Sequence, residues 1–339
     1  MSFLAYLHCV SAHSSLTAEE AERALELILE GMVSAPQIAA FLVAMRMKGE
    51  TGPEILGFAR AMRTRSLRVE IADVPQPVLD TCGTGGDTTG SFNISTVAAL
   101  VAAGAGVRVA KHGNRSLASH CGSADILEAL GVKIALTPDR MADCIRRAGI
   151  GFLFAPVLHP AMKNAQPARA ELKMRTALNL LGPLTNPAGA RYQLIGAPSE
   201  DAARLMAWTL AELGTGRAFV VHGSDGMDEI TTTGSTLVLE VAHDRVLEHV
   251  WQPADFGLPR ANLADLAAPA KDDNLRIARA VLAGAPGPCR DIVLINAAAA
   301  LMAAGVATSP GEGVVLAERS LDNGAARERL ESLVLESNR

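Results

Sequence analysis

The sequence predicts an α/β protein in which a small N-terminal helical domain precedes a larger domain built on a mostly parallel sheet. Residues 17 to about 65 show only helical periodicity, whereas from Val78 onward short β-branched runs alternate with Ala-rich helical segments. The 339 residues are 49% hydrophobic but only 4% aromatic, so Ala, Val, Leu and Ile must build the core. A chain of this length accommodates two domains.

Three capping signals predict three helices in the first layer. A side chain at the N-cap that bonds the backbone three residues later marks a helix start, and a proline fits the first turn. The signals are, in order, Thr17-x-x-Glu20, Ser34 followed by Pro36, and Thr51-x-x-Glu54. The segment 73–77, with two prolines, then breaks the pattern and is the predicted first crossing between domains.

Strands and helices are predicted to alternate between residues 96 and 221. Strands are expected at 107–110, 132–135, 152–155, 192–197 and 218–221, with helices at 96–103, 123–130, 137–146 and 200–213. Residues 159 to about 181 are predicted to be helical and to lie back against the helical domain. The expected division is therefore residues 1–72 with 160–182 as one domain, and residues 73–159 with 183–339 as the other.

Composition narrows the class of protein. The net charge of −5 opposes a general role on nucleic acid, where a basic face supplies most of the affinity. The five cysteines include no C-x-x-C pair, which disfavours a disulfide framework and a zinc site and fits a reducing cytoplasm. We find no targeting pattern at the N-terminus and no apolar run of membrane-spanning length. The expected class is a cytoplasmic enzyme.

A glycine-rich turn, Asp80-Thr81-Cys82-Gly83-Thr84-Gly85-Gly86-Asp87, connects a predicted strand to a helix that opens near Thr96. Glycines expose consecutive N–H groups and a helix N-terminus adds unpaired donors, so such a turn can hold a phosphate or pyrophosphate. The turn matches neither the Walker loop nor the dinucleotide-binding spacing. By itself it is equally a plain structural connection.

A second polar element follows the strand at 107–110. Lys111-His112-Gly113-Asn114-Arg115-Ser116 stands where open α/β sheets bind ligands, at the carboxyl ends of the strands. Its lysine and arginine can supply charge, and its asparagine and serine can supply directed hydrogen bonds. The two loops together predict an anion site.

Seven ordered motifs extend this pattern along nearly the whole chain, from Thr17 to about Ala307. They read DTCGTGGD, NIST, KHGNRS, GSAD, HPAMK, NLLGPLTNP and HGSDGMDEI. In this order they resemble the anthranilate phosphoribosyltransferase family. The resemblance implies a nucleoside phosphorylase-like fold, a homodimer, and Mg²⁺-dependent transfer of phosphoribosyl from 5-phosphoribosyl-1-pyrophosphate (PRPP) to anthranilate in tryptophan biosynthesis.

The resemblance also implies roles for individual positions. For PRPP it implies Gly83, Gly86, Asp87, Ser91, Asn93, Ile94, Ser95, Thr96, Lys111, His112, Gly113, Asn114, Arg115, Ser116, Leu117, Ala118, Ser119 and Ser123. For anthranilate it implies Gly83, His112, Asn114, His159, Arg169 and Pro183, and for Mg²⁺, with two ions per subunit, Ser95, Asp228 and Glu229. Lys111, Asn114 and Arg169 are the implied catalytic residues.

Several of these residues have a plainer interpretation. Without the family, Asp228-Glu229 is equally a solvated turn, Arg169 an exposed helix cation, and His159 a group that satisfies a strand-end carbonyl. The segment 271–274 departs from the family pattern and is expected to lie away from the chemistry. The Val157-Leu158 pair also departs from it, which leaves the aromatic acceptor open.

Two alternative functions remain at this stage. A pyrimidine nucleoside phosphorylase would share the fold but use phosphate, and the acceptor motif HPAMK, Arg169 and the Asp-Glu pair oppose it. A non-catalytic relative that binds nucleic acid should be basic and should have lost acceptor residues, whereas this chain is acidic and keeps them.

Overall fold

The computed structural model describes residues 2–85, 89–115, 121–242 and 244–339. Helices in these ranges are α1 Phe3–Ser11, α2 Ala18–Leu29, α3 Ala35–Lys48, α4 Gly52–Thr64, α5 Ile94–Gly104, α6 Ser123–Ala129, α7 Pro138–Ala148, α8 Ala155–Leu158, α9 Gln166–Leu172, α10 Leu181–Leu184, α11 Glu200–Glu212, α12 Lys271–Leu282, α13 Pro288–Ala303, α14 Pro310–Asp322 and α15 Ala325–Ser337. The strands are β1 Val78–Gly83, β2 Arg108–Gly113, β3 Ile150–Phe154, β4 Tyr192–Gly196, β5 Arg217–Gly223, β6 Thr236–Ala242 and β7 Arg245–Trp251. Short 3₁₀ segments lie at Pro160–Asn164, Ala177–Asn179, Pro253–Phe256 and Leu263–Leu266.

The strands form one mostly parallel sheet in the order β3-β2-β1-β4-β5-β6-β7. Strands β1 to β5 are parallel, and β6 and β7 add an antiparallel hairpin at one edge. With the helices α1 to α4 preceding it, this sheet confirms the predicted fold class. No helix in the described ranges combines the length and apolar character needed to cross a membrane.

The predicted strand at 132–135 is wrong. The N–H of Val132 donates to the carbonyl of Leu127 at 3.0 Å, which closes the end of α6, and the N–H of Lys133 donates to Oγ of Ser337 at 3.1 Å. These amides are therefore bonded to a helix end and to a side chain of α15, so they pair with no strand. Helix α1 and the β6–β7 hairpin also lie outside the sequence prediction.

The segment 160–172 returns to the helical layer. Asn164 donates from Nδ2 to the carbonyl of Leu29 at 2.8 Å, and the buried face of α9 joins the apolar core that α2 and α3 also share. That core continues onto one face of the sheet, while α5 and α13 cover the other face with small, fully buried alanines. The segment 173–176 therefore runs from the helical layer toward the carboxyl edge of the sheet.

A buried ion pair joins the helices of the N-terminal layer. Glu54 is fully buried and its carboxylate accepts from the N–H of Leu16 at 2.9 Å, the N–H and hydroxyl of Thr51 at 2.9 Å, and the ammonium of Lys48 at 2.9 Å. One side chain thus caps α4 and ties it to the loop before α2. Removal of one member of such a pair leaves the other charge and its donors uncompensated.

Glu54→Ala should lower the free energy of unfolding by about 3 kcal/mol or more, because one buried and two part-buried donors and the ammonium of Lys48 lose their acceptor. Urea denaturation of the purified protein measures the loss. Glu212→Ala removes an exposed carboxylate and should change stability by no more than about 0.5 kcal/mol. Equal stability of the two variants would contradict this account of Glu54.

Candidate active site

Four of the parallel strands, β1, β2, β4 and β5, end in glycine at one edge of the sheet. Gly83 at the end of β1 lies opposite Gly196 at the end of β4, and Gly113 at the end of β2 lies opposite Phe154 of β3. Since the carboxyl ends of parallel strands share an edge, the loops that follow them converge there. The motifs recognised in the sequence therefore meet in space.

The side chain and the backbone of Asp228 lie directly on two of these glycines. A Cβ built on Gly83 would lie 2.9 Å from Oδ2 of Asp228, and one built on Gly196 would lie 1.7 Å from the carbonyl oxygen of Asp228. No side chain fits at either position without displacing residue 228. The start of the glycine turn and the carboxylate at 228 therefore share one cleft, although Gly86 and Asp87 lie outside the described residues.

Glu229 reaches the start of helix α5. Its Oε1 accepts from the N–H of Ser95 at 3.1 Å, and Oγ of Ser95 lies 3.3 Å from the ammonium of Lys111. Lys111 is 2% exposed and also donates to the carbonyl of Thr81. Burial lowers the pKa of Lys111, and the nearby charge of Asp80 opposes that shift. Lys111 thus sits at the base of the cleft and connects β1 to the serine that Glu229 contacts.

The loop that carries both carboxylates is fixed by a buried amide that sequence reasoning missed. Asn296 of α13 accepts from the N–H of Ile230 at 3.0 Å and donates to the carbonyl of Ile230 at 2.9 Å and that of Ile292 at 2.8 Å. The next residue after Glu229 is therefore clamped on both sides of its backbone. The available signal was a lone Asn inside the otherwise apolar run 292–303.

Asp80 is a second residue that sequence reasoning did not single out. It is fully buried, and it accepts from the N–H of His112 at 3.0 Å and from Nδ2 of Asn186 at 2.8 Å. Asn186 also donates to the carbonyl of Ala110 at 2.9 Å. This network locks β1, β2 and the loop after α10 together beneath the cleft.

His112 and His159 form a buried pair on the other side of the cleft. Their ring centroids are 5.2 Å apart, and in the described part of the protein neither Nε2 has a hydrogen-bond partner. Nδ1 of His112 lies 2.9 Å from the carbonyl of Gly182, next to Pro183. A carbonyl only accepts, so Nδ1 carries the proton and Nε2 of neutral His112 is an acceptor. Both Nε2 atoms therefore keep unused hydrogen-bonding capacity within the described part of the protein.

Burial keeps both imidazoles uncharged. Desolvation lowers the pKa of His112, and desolvation together with the neighbouring His112 lowers the pKa of His159 to about 3. The plainer interpretation of His159 was that it satisfies a strand-end carbonyl. Its Nε2 bonds no carbonyl within the described part of the protein. The pair therefore offers neutral polar atoms rather than positive charge.

Arg169 of α9 is a half-buried cation that has no counter-charge among the described residues. Burial lowers the pKa of its guanidinium, and within the described ranges its side chain makes no hydrogen bond and no ion pair. The plainer interpretation of Arg169 as an exposed helix cation is therefore wrong, because its side chain is half-buried. An arginine in this state can bind a carboxylate through a two-pronged contact.

The loop after β2 is described as far as Arg115. A Cβ on Gly113 would lie 2.3 Å from Oγ of Ser123 and 2.7 Å from the ring of Phe152, so only glycine fits. Oδ1 of Asn114 accepts from the N–H of Arg115 at 2.7 Å, and the carbonyl of Asn114 accepts from Ser123 at 3.3 Å.

Arg115 is exposed, and its guanidinium contacts Asp125 at 2.7 Å and Glu128 at 2.9 Å. Its charge is therefore partnered within the chain. The remaining predicted residues of this loop lie outside the described residues; they are Ser116, Leu117, Ala118 and Ser119.

Asn93, just before α5, contacts the segment 271–274 through Asn274. The N–H of Asn93 donates to Oδ1 of Asn274 at 2.8 Å, and Nδ2 of Asn93 donates to the carbonyl of Cys121 at 2.7 Å. Asn274 is buried in α12, so the expectation that this segment lies away from the chemistry is wrong. Ile94 and Thr96 are buried at the start of α5, and Ser91 forms an isolated bridge with Ala267.

The donor set of the cleft fits a hard cation that is completed by a ligand. Within the described ranges no group of three or more His, Cys, Asp and Glu side chains could hold a metal by itself. Mg²⁺ takes one or two protein carboxylates and fills its remaining positions with water and substrate phosphate oxygens. Asp228, Glu229 and the hydroxyl of Ser95 are oxygen donors of that kind.

The His159 environment generates a pH prediction. The pKa of His159 falls from about 6.5 in the unfolded chain to about 3 in the folded protein. As pH falls, the unfolded chain therefore binds a proton at His159 before the folded protein does. The contribution of His159 to stability is complete above about pH 6.5 and is lost progressively as pH falls toward 3. At pH 5 the loss should reach about 2 kcal/mol. His159→Gln should therefore lose about 2 kcal/mol less stability than the parent between pH 7 and pH 5, as measured by urea denaturation.

His8→Gln, which replaces an exposed histidine, is the matched control and should follow the parent. If His159→Gln shows the parent's pH dependence, His159 is protonated in the folded state, contrary to this account.

Two comparisons by sequence place the chain in a family. Residues 75–327 match the family described as "Glycosyl transferase family, a/b domain", and residues 4–66 match its helical bundle domain. The chain is 56% identical over 333 residues to anthranilate phosphoribosyltransferase of Solibacter usitatus, with 98% of each chain covered. It is 54% identical to the Moorella thermoacetica enzyme of the same name, with 96% of this chain and 95% of that one covered.

Solved structures agree with the sequence comparisons. Anthranilate phosphoribosyltransferase from Thermus thermophilus superposes with a TM-score of 0.92 at 42% identity, covering 98% of this chain and 99% of that chain. The Saccharomyces cerevisiae enzyme in complex with PRPP and Mg superposes with a TM-score of 0.90 at 28% identity, covering 99% and 98%. The chain described here belongs to the anthranilate phosphoribosyltransferase family of glycosyltransferases.

Proposed function

We propose that this chain transfers the phosphoribosyl group of PRPP to the amine of anthranilate, giving N-(5-phosphoribosyl)anthranilate and pyrophosphate in tryptophan biosynthesis. The observation that carries the proposal is the contact between the start of the glycine turn and the carboxylate loop, with Asp228 seated on Gly83. Enzymes that bear the family's name share more than half of this sequence over nearly its full length.

The donor half of the site is the cleft between the glycine turn, the start of α5 and the 228–229 carboxylates. The reaction breaks the bond between the anomeric carbon and pyrophosphate, so negative charge builds on the leaving group. Asp228, Glu229 and Ser95 would hold Mg²⁺, and when bound this ion neutralises part of that charge. We take the number of ions as two per subunit. Lys111 adds a positive charge beneath the cleft, 3.3 Å from Oγ of Ser95.

The acceptor half lies between Arg169 and the histidine pair. The guanidinium of Arg169 binds the carboxylate of anthranilate, and Nε2 of His112 accepts a hydrogen bond from its amine. The amine of anthranilate is uncharged and weakly basic, so orientation matters more than a strong base. Asn114, His159, Gly83 and Pro183 are proposed to line the same pocket.

The chain is further proposed to act as a cytoplasmic homodimer. The proposed domains are residues 1–72 with 160–182, and residues 73–159 with 183–339. The bond from Asn164 to Leu29 supports the assignment of 160–172 to the helical domain. Neither alternative function is favoured, since the family relatives are named for anthranilate and the acceptor residues are present.

The direct test follows the fluorescence of anthranilate after PRPP is added, with and without Mg²⁺. The parent should consume anthranilate only when both PRPP and Mg²⁺ are present, because the leaving group needs its counter-charge. The double variant Asp228→Asn, Glu229→Gln should require at least about tenfold more Mg²⁺ for half-maximal turnover, since both charged ligands are gone. Phosphorolysis of thymidine by the parent, without loss of anthranilate, would favour the phosphorylase alternative instead.

Arg169→Ala should raise the KM for anthranilate about 10- to 100-fold and leave the KM for PRPP within about twofold, because a charged two-pronged hydrogen bond contributes roughly 1.5–3 kcal/mol. Steady-state kinetics with each substrate varied in turn separates the two constants. Arg46→Ala removes an exposed arginine of α3 and serves as the control. An equal rise in both constants would show that the division into acceptor and donor halves is wrong.

A further inference from the structure

Arg175 is a second half-buried arginine at the cleft, and none of the seven motifs includes it. It lies between α9 and the 3₁₀ segment Ala177–Asn179, just after Lys173, which has a left-handed backbone with φ of 47°. From there its guanidinium reaches the glycine turn. Nη1 donates to the carbonyl of Gly85 at 3.2 Å and Nη2 to the carbonyl of Thr84 at 3.5 Å.

The charge of Arg175 is not neutralised by these contacts. In the described part of the chain its guanidinium forms no salt bridge, and its hydrogen-bond partners there are two backbone carbonyls. Burial lowers its pKa, while the charge of Asp228 acts in the opposite direction and Arg46 adds to the lowering. A guanidinium has five donors, so most of its hydrogen-bonding capacity remains after two contacts.

The contacts fix the direction in which the turn presents its amides. A peptide unit is planar and trans, so the carbonyl of Thr84 and the N–H of Gly85 point to opposite sides. When Arg175 holds the carbonyl of Thr84, the N–H of Gly85 faces away from the guanidinium. The N–H of Thr84 is fixed separately, because it donates to the carbonyl of Gly196 at 3.1 Å. Gly85 has φ of +65°, so glycine is the residue that takes this conformation without strain.

We infer that Arg175 is a positioning residue for the pyrophosphate of the donor. It orients the Gly85 amide for the anion from the opposite side of the turn, and its own charge lowers the cost of bringing a highly charged anion beside Asp228. The residue belongs to the segment 173–176 that leaves the helical layer, so it also links that layer to the donor half of the site. This inference rests on the proposed function only in identifying the anion as the pyrophosphate of PRPP.

The test measures binding of inorganic pyrophosphate, in the presence of Mg²⁺, by isothermal titration calorimetry, and then the two KM values. Arg175→Ala should weaken pyrophosphate binding at least tenfold and raise the KM for PRPP by a similar factor, with the KM for anthranilate within twofold. Arg175→Lys keeps the charge but not the two-pronged geometry, and it should lose at least fivefold in both donor measurements. Arg46→Ala is the matched control, because it removes a nearby exposed arginine, and it should change neither.

Two results would overturn the inference: pyrophosphate affinity in Arg175→Ala within twofold of the parent, or full activity and affinity in Arg175→Lys, which would leave charge alone as the role. Thermal unfolding of each variant shows whether a loss of pyrophosphate affinity comes from misfolding. If Arg175→Ala is misfolded, the pyrophosphate affinity of Arg175→Lys tests the inference instead. If the parent binds pyrophosphate but does not consume anthranilate, the proposed function fails while the affinity comparison still tests Arg175.

Discussion

The close approach of Asp228 to two glycine strand ends is the constraint on which the site depends. Strands β1 and β4 are neighbours, and both lack a side chain where the carboxylate loop crosses them. Because Gly83 and Gly196 have no Cβ, the carboxylate of Asp228 can lie against the backbone of the turn that follows β1. Asn296 holds the same loop from the far side, through the backbone of Ile230. The carboxylate position is thus set by packing on one side and by hydrogen bonds on the other.

Charge is distributed unevenly across the cleft. The donor half combines carboxylates with the buried ammonium of Lys111, whose ties to Thr81 and Ser95 keep it inside the protein. The proposed acceptor half has neutral imidazoles and the guanidinium of Arg169, which forms no ion pair within the described ranges. This arrangement separates a site that suits a highly charged anion with a metal from one that suits a singly charged aromatic acid.

Much of the architecture was accessible from periodicity and capping signals, because the helices begin at side chains that bond their own backbone. Helices α2 and α4 begin at the predicted capping boxes of Thr17 and Thr51, and α3 begins after Ser34 with Pro36 in its first turn, as predicted. The segment 132–135 was wrongly predicted as a strand. A short β-branched run gives the same sequence pattern whether its amides pair with a strand or close a helix end. The motifs could be identified, and they contain Asp80 and Asn186, but the structural roles of these two residues and of Asn296 could not be predicted. Those roles arise from contacts between residues far apart in sequence. Asn274 was placed wrongly for the same reason.

The neutral histidine pair has a consequence for which acids the acceptor pocket accepts. In the proposed pocket, an aminobenzoate with a single carboxylate would direct that group to Arg169 and place its uncharged amine near Nε2 of His112. A phthalate-like diacid would have to put its second negative charge against an imidazole lone pair that burial keeps unprotonated. Discrimination between mono- and diacids would then come from the neutral state of the two imidazoles.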